Sequence, residues 1–316
     1  MPVSSKILCV VGPTACGKTR LGVLLAKRFH GEIVSADSMQ IYRGMTIGTA
    51  APTPEEMEGI PHYMVGVAEP DEQWSAARYA QAAIPIVEDI LSRGKLPILV
   101  GGTGLWMDAV IKGHGFAGGS AGGAVRLQLQ RELEAGGIEP LLAQLRQADP
   151  ETAARLHPAD TKRILRALEV WRETGRTISS HNAETRALPP RYDAVYIGLR
   201  FADRDEMRRL IDRRVDAMAE QGLLEEVRAL LNAGIPADAT ALQAIGYKEF
   251  LGVLDGSRTE EQALAEVKLR SRQYAKRQLT WLRRNPAIHW IEWEKGRDFE
   301  RALQISTEIL TAEGLG

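Results

Sequence analysis

The sequence predicts an α/β fold: a parallel sheet flanked by helices, with an inserted all-helical domain. Three observations predict it. Short apolar runs rich in β-branched residues recur along the chain, as buried strands of a parallel sheet do. Two of these runs pass directly into a glycine turn and then a helical spacing. Between residues 113 and 191 such runs are missing and helical spacings take over. The chain has 316 residues, enough for one large domain or two of ordinary size. Hydrophobic residues are 44% and charged residues 26%, which argues against a disordered, collagen-like or disulfide-stapled chain.

Residues 7–11, ILCVV, read as the first buried strand. Gly12, Pro13, Thr14, Ala15, Cys16, Gly17, Lys18 and Thr19 follow, a complete G-x-x-x-x-G-K-[ST] pattern. Leu21, Leu24, Leu25 and Phe29 then give a helical stripe. Strand, glycine loop and helix stand in the order that a phosphate-binding loop needs. Its backbone N–H groups and the helix N-terminus converge on phosphate oxygens, Lys18 adds a point charge, and Thr19 can hold Mg²⁺. The core is therefore expected to be P-loop NTPase-like. The loop alone leaves open whether it takes ATP, GTP or another diphosphate.

Residues 32–36, EIVSA, are the second strand. They deliver Asp37, Ser38, Met39 and Gln40 beyond the carboxyl end of the sheet, where ligands of open α/β folds gather. Asp37 there can bind metal, accept a proton, hydrogen-bond a substrate or cap a turn, and spacing does not choose among these. A helix is expected over 76–91, with Pro85 marking a kink or a late start. Residues 96–100, LPILV, run as a third strand into Gly101, Gly102, Thr103 and Gly104. These glycines serve either close ligand approach or tight helix–sheet packing.

Residues 116–123, FAGGSAGG, read as a linker. Helices are expected over 125–133, 139–145 and 161–174, with Ile164, Leu165, Leu168 and Trp171 as the stripe of the last. Asp149 and Pro150 break the pattern and start another helix. Residues 179–191 are polar, and 193–199, DAVYIGL, return to strand. The domains are thus expected at 1–112, 113–191 and 192–316, the first and last forming one core. Further helical blocks are read at 222–231 and 243–250.

Net charge is −1, so any polyanion footprint must be local. Residues 155–191 carry eight basic against four acidic residues, and 267–284 carry seven basic and no acidic ones. Val267, Tyr274 and Trp281 recur every seven residues there and predict one buried stripe, leaving the charges for a polyanion. The cysteines are Cys9 and Cys16 alone. They suggest no disulfide and fit a reducing, cytoplasmic setting. The six histidines show no zinc-ligand spacing. No apolar run reaches about 18 residues, and Met1 to Ser5 is too short and polar for a signal peptide.

Together, GPTACGKT, DSMQIYRGMTIGTA, PHYM, LVGGTGLW, HPADTKRILRALEVWRETGR, RRVDAMAEQGLLEEV, QAIGYKEF and RSRQYAKRQLTWLRR resemble the bacterial tRNA dimethylallyltransferase family over nearly the whole chain. The resemblance implies that the loop, residues 12–19, binds the diphosphate of dimethylallyl diphosphate, with Mg²⁺ on Thr19 as cofactor. It implies that Lys18 and Arg214 stabilise the leaving diphosphate and that Asp37 is the general base. Arg213 adjoins Arg214 and points about 100° away on a helix, so only one can face the site. Asp37, Ser38, Met39, Gln40, Thr103, Arg126, Lys162, Arg163 and Arg166 are implied as tRNA contacts, with Gln40 able to read an adenine edge. A monomer without membrane partners is implied. Two positions depart from the family: Ala51 stands where a lysine is common, and Lys162 where glutamine is common. The rivals are a prenyltransferase on free adenine nucleotides, a P-loop small-molecule kinase, and a non-enzymatic RNA-binding module. The last leaves Lys18 and Asp37 without a job.

Overall fold

A computed structural model describes residues 6–113 and 123–315. The stretch read as a linker lies outside these residues except for Gly123, as does Met1 to Ser5. The chain divides into two compact units: Met1–Gly113 with Arg191–Gly316, and His114–Pro190. Gly113 and Arg191 belong to the first, where the Arg191 N–H donates to the Ile111 carbonyl at 2.9 Å.

The first unit opens with β1 (Lys6–Val11), α1 (Lys18–Arg28), β2 (Gly31–Ser35), α2 (Pro54–Met57) and β3 (His62–Tyr63). It continues with α3 (Ala76–Ser92), β4 (Leu96–Gly101) and α4 (Gly104–Lys112). The second unit holds α5 (Ala124–Gly136), α6 (Ile138–Ala148), α7 (Pro150–Arg155), α8 (Thr161–Thr174) and α9 (Ile178–Ala187). The first unit resumes with β5 (Asp193–Phe201), α10 (Arg204–Glu220), α11 (Leu223–Asn232) and α12 (Tyr247–Leu254). It ends with α13 (Glu260–Leu282), β6 (Ile288–Trp293) and α14 (Phe299–Ala312).

The six strands form one parallel sheet in the order β3-β2-β4-β1-β5-β6. Both faces are covered, which is why β1 beyond Lys6, β2 and β4 are buried at every position, Glu32 and Ser35 of β2 included. Alternate side chains of β1 feed opposite cores: Ile7, Cys9 and Val11 one, Leu8 and Val10 the other. The helical unit has its own core, in which Ile164, Leu165 and Leu168 of α8 meet Leu141, Leu142 and Leu145 of α6.

Several sequence expectations need correction. α3 runs unbroken through Pro85, neither starting late nor ending there. Its buried Tyr79, Ala80 and Ala83 before the proline, and Val87 and Ile90 after it, hold the helix despite the missing N–H. Residues 243–250 are not one helix. A short 3₁₀ turn ends at Gln243, and Gly246 at φ +100° separates it from α12. The polar stretch after Ser179 lies largely within α9, which has no buried residue and so no stripe to read. It starts because the Thr177 hydroxyl accepts the Ser180 N–H. On α13 the buried residues are Ala263, Val267, Ala275, Gln278 and Leu282. Trp281 is 41% exposed: a long straight helix follows a 3.6-residue period, so the seven-residue reading drifts off the buried face. β3, β6 and α14 were not anticipated.

Candidate active site at three strand ends

The carboxyl ends of β2, β4 and β1, adjacent in the sheet, bring together the Asp37 turn, the Gly101–Thr103 turn and the phosphate loop. The crowding explains the glycines. A Cβ on Gly101 would stand 2.2 Å from the Ala36 carbonyl oxygen, and one on Gly102 2.0 Å from the Gln278 Nε2. Here glycine serves close packing of backbone and strut.

The phosphate loop enters α1 through Gly17 in the left-handed region. Lys18 Nζ donates to the Pro13 carbonyl at 2.8 Å. Residues far along the chain hold the loop. The Trp293 indole N–H donates to the Cys16 carbonyl at 2.9 Å. A Cβ on Gly17 would lie 2.7 Å from the Phe299 ring. Gln278 bridges two strand ends: its Oε1 accepts the Thr14 N–H at 2.8 Å and its Nε2 donates to the Gly102 carbonyl at 3.2 Å. Burial pushes the Cys16 thiol up, so it is a filler of the loop and not a thiolate. Thr19 lines an open cleft with Arg20, Glu55, Glu56 and Glu58.

Arg214 of α10 reaches the loop, its Nη1 donating to the Thr14 hydroxyl at 3.3 Å, while Arg213 is exposed. Burial pushes the Arg214 guanidinium's pKa down, and the charge of Asp37 opposes that shift. Asp37 Oδ1 accepts the N–H groups of Met39 at 2.9 Å and Gln40 at 3.4 Å, an Asx turn that commits this oxygen. Among the described residues no hydrogen bond engages Oδ2. The Ser38 N–H donates to the Thr103 hydroxyl at 3.3 Å, and the Tyr274 side chain lies beside Thr103. Burial is the main reason the Tyr274 hydroxyl is pushed up to about 12. Met39 packs on the core. The Gln40 amide is spent inside the protein: Nε2 donates to the Thr49 and Ala50 carbonyls at 3.3 and 3.0 Å, and Oε1 accepts from the Ser35 hydroxyl at 3.1 Å. Gln40 thus braces the turn. Reading a base edge would require giving up these bonds.

Within the helical unit, Lys162 and Arg163 are exposed and Arg126 is half-buried. Arg163 pairs with Asp160 at 3.4 Å and Arg166 with the buried Glu169 at 2.8 Å. On α13, Lys268 pairs with Asp216 and Arg272 with Asp212, tying the helix to α10, while Arg270 pairs with Glu266. That part of the basic stretch is structural. Lys276, Arg277, Arg283 and Arg284 stay exposed. Gln278, Trp293 and Phe299 escaped the sequence reading. Gln278 had a signal, since it is the polar residue on an otherwise apolar buried stripe.

A phosphate loop beside a carboxylate, on a parallel sheet with a helical unit inserted, defines a P-loop-like α/β enzyme of group transfer. The profile of the IPP transferase family matches residues 40–285, and the chain belongs to that family. It is 46% identical to tRNA dimethylallyltransferase 2 of Geotalea uraniireducens over 288 residues, covering 91% of this chain and 92% of that protein. It is 42% identical to the tRNA dimethylallyltransferase of Acetivibrio thermocellus, with 98% of both chains covered. Among solved structures it is similar to the tRNA isopentenylpyrophosphate transferase of Bacillus halodurans, with a TM-score of 0.72, 40% identity, and 99% and 97% of the two chains covered. It is also similar to a eukaryotic dimethylallyltransferase studied acting on tRNA, with a TM-score of 0.83, 28% identity, and 98% of this chain and 80% of that one covered.

Proposed function

We propose that the chain transfers the dimethylallyl group of dimethylallyl diphosphate to N6 of an adenosine on the 3′ side of the anticodon in tRNA, releasing diphosphate. The observation that carries this reading is a carboxylate, Asp37, at the second strand end from a complete phosphate loop, with Arg214 touching the loop and sensing the Asp37 charge. The names of the full-length relatives support the substrate pair.

In this mechanism the loop and Lys18 hold the diphosphate, and Arg214 adds charge where the leaving group becomes negative. The adenosine leaves its stack to reach the site. Its N6 attacks C1 of the allyl group, the C1–O bond breaks, and the electron pair departs with diphosphate. The N6 proton passes to Asp37 Oδ2, because an aromatic amine is a weak nucleophile until it sheds that proton. Among the described residues no three acidic, His or Cys side chains are placed to cage a cation. Mg²⁺ suits such a site all the same, since it takes few protein oxygens and completes its shell with phosphate and water. The Thr19 hydroxyl would hold it, and it would supply charge neutralisation on the diphosphate.

Lys162, Arg163, Arg166 and Arg126 are read as backbone contacts of the tRNA. One chain carries every group named, so the reading is of a monomer. No helix among the described residues is long and apolar enough to cross a membrane, and a cytoplasmic place is where unmodified tRNA is met.

The test offers labelled dimethylallyl diphosphate and Mg²⁺ to unmodified tRNA with A at the target position, to the same tRNA with G there, and to free AMP. Label on the first alone is expected. Label on AMP alone would establish the free-nucleotide reaction. No label from an intact donor would return the loop to ATP and phosphoryl transfer.

A further inference from the structure

The turn that carries Asp37 is braced from a part of the chain that has no place in the reaction as described. Glu226 on α11 points its carboxylate at the loop 46–48. Oε2 accepts the N–H groups of Thr46 and Ile47, both at 2.8 Å, and the Thr46 hydroxyl at 2.9 Å. Oε1 accepts the Gly48 N–H at 3.0 Å and the Tyr247 hydroxyl. Five donors on one carboxylate make a strong, charge-assisted anchor. Gly48 also packs against Tyr247 and Leu223, where a Cβ would meet the Tyr247 ring at 2.5 Å. The next two residues of the loop supply the Thr49 and Ala50 carbonyls that take both hydrogens of the Gln40 amide. Gln40 in turn gives its backbone N–H to Asp37 Oδ1. Hydrogen bonds joined by short stretches of the chain itself therefore link Glu226 through 46–50 and Gln40 to Asp37.

We propose that Glu226 is a positioning residue for Asp37. It fixes the loop that fixes Gln40, and so holds the Asx turn that leaves Oδ2 free for the proton of the substrate amine. The inference rests on the proposed role of Asp37 as base. Glutamine at 226 keeps the shape but removes the charge and one acceptor oxygen, and turns an NH₂ toward N–H donors.

The experiment is a two-by-two set in the full chain: wild type, Glu226→Gln, Asp37→Asn and the double variant. Asn keeps the Oδ1 acceptor of the turn. Single-turnover transfer to tRNA is measured, with inorganic pyrophosphate affinity by calorimetry alongside. Glu226→Gln is expected to slow transfer by about tenfold or more, the scale of a misplaced catalytic group, with pyrophosphate affinity within about twofold of wild type, and to add almost nothing on the Asp37→Asn background. A merely structural role would slow both backgrounds by the same factor, and that result overturns the proposal. So does a loss of pyrophosphate affinity in step with rate. If Asp37→Asn alone transfers at the wild-type rate, the base assignment falls and the positioning role falls with it. If Glu226→Gln does not fold, Tyr247→Phe, which removes one donor of the five, takes its place with a smaller slowing and the same background test.

Discussion

Gln278→Leu removes a strut between two strand ends without changing side-chain bulk greatly. Two polar groups lose their partner. The Gly102 carbonyl is buried and is left unsatisfied, at about 1–3 kcal/mol. The Thr14 N–H is half-buried and loses a bond worth about 0.5–1.5 kcal/mol. The expected destabilisation is about 2–4 kcal/mol, read as a fall in the urea midpoint of the unit that contains the sheet. Thr14 also belongs to the phosphate loop, so the loop gains freedom that diphosphate must then freeze out. Pyrophosphate affinity by calorimetry should drop by about tenfold, equivalent to roughly 1.4 kcal/mol. Gln278→Glu separates the two halves. It keeps an acceptor for the Thr14 N–H and sets a second oxygen against the Gly102 carbonyl, so stability should fall while affinity falls less. If Gln278→Leu leaves both the midpoint and the affinity unchanged, the strut is decorative and the loop is held by its other contacts, Lys18, Arg214, Trp293 and Phe299.

Three further outcomes follow from the same structure. Asp37→Asn should lower kcat on tRNA by about 10²–10⁴-fold, the usual worth of a general base, with tRNA affinity nearly constant; turnover at the wild-type rate would take Asp37 out of the mechanism. Glu32 is nearly buried and its carboxyl is held at about 2, chiefly by the Arg93 guanidinium and further by Lys95 and Tyr63. Its depressed folded value means stability present above its ordinary pKa and lost as pH falls from about 4.5 toward 2, at most about 3 kcal/mol and nearer 1–2 with solvent around Arg93. Glu32→Gln should therefore be less stable than wild type at pH 7 and converge on it only as pH falls to about 2 and below; a gap that persists there contradicts the ion pair as its source. Lys162→Ala should weaken tRNA binding and reduce the slope of log affinity against log salt by about one, and an unchanged slope would leave Lys162 as a solvated surface residue.

The elements legible in the sequence were those whose pattern and packing agree. β1, β2 and β4 are buried on both faces, so they read as non-alternating runs, interrupted only by Glu32 and Ser35 of β2, and α8 shows a stripe that coincides with Thr161–Thr174. β3 is two residues long and pairs only with the end of β2, too short for any pattern. β6, at the sheet edge, exposes His289 and Glu292 and sends Ile288 and Trp290 to one core and Ile291 and Trp293 to the other, so IHWIEW carries no clean alternation to read. In the site, the phosphate loop, Asp37 and the second glycine turn lie where the motifs put them, each just past a strand end. Their supports did not announce themselves, because Gln278, Trp293 and Glu226 stand between 176 and 277 residues away from the groups they hold.

That separation has a physical cause. A phosphate loop and a catalytic turn lie past the strand ends and have no ordinary ladder of their own, so their backbone groups need other partners. Here the missing support comes from side chains of the last third of the chain. Gln278 takes the Thr14 N–H, and Trp293 binds the Cys16 carbonyl from behind. Glu226 gathers the N–H groups of 46–48 so that the Asp37 turn does not have to. Arg214 and the basic residues of the helical unit apart, the groups that meet substrate in the proposed reaction stand early in the chain, whereas the groups that hold them in place are remote. A substitution at a buried strut of α11 or α13 should therefore act on the site as directly as one in the loop itself.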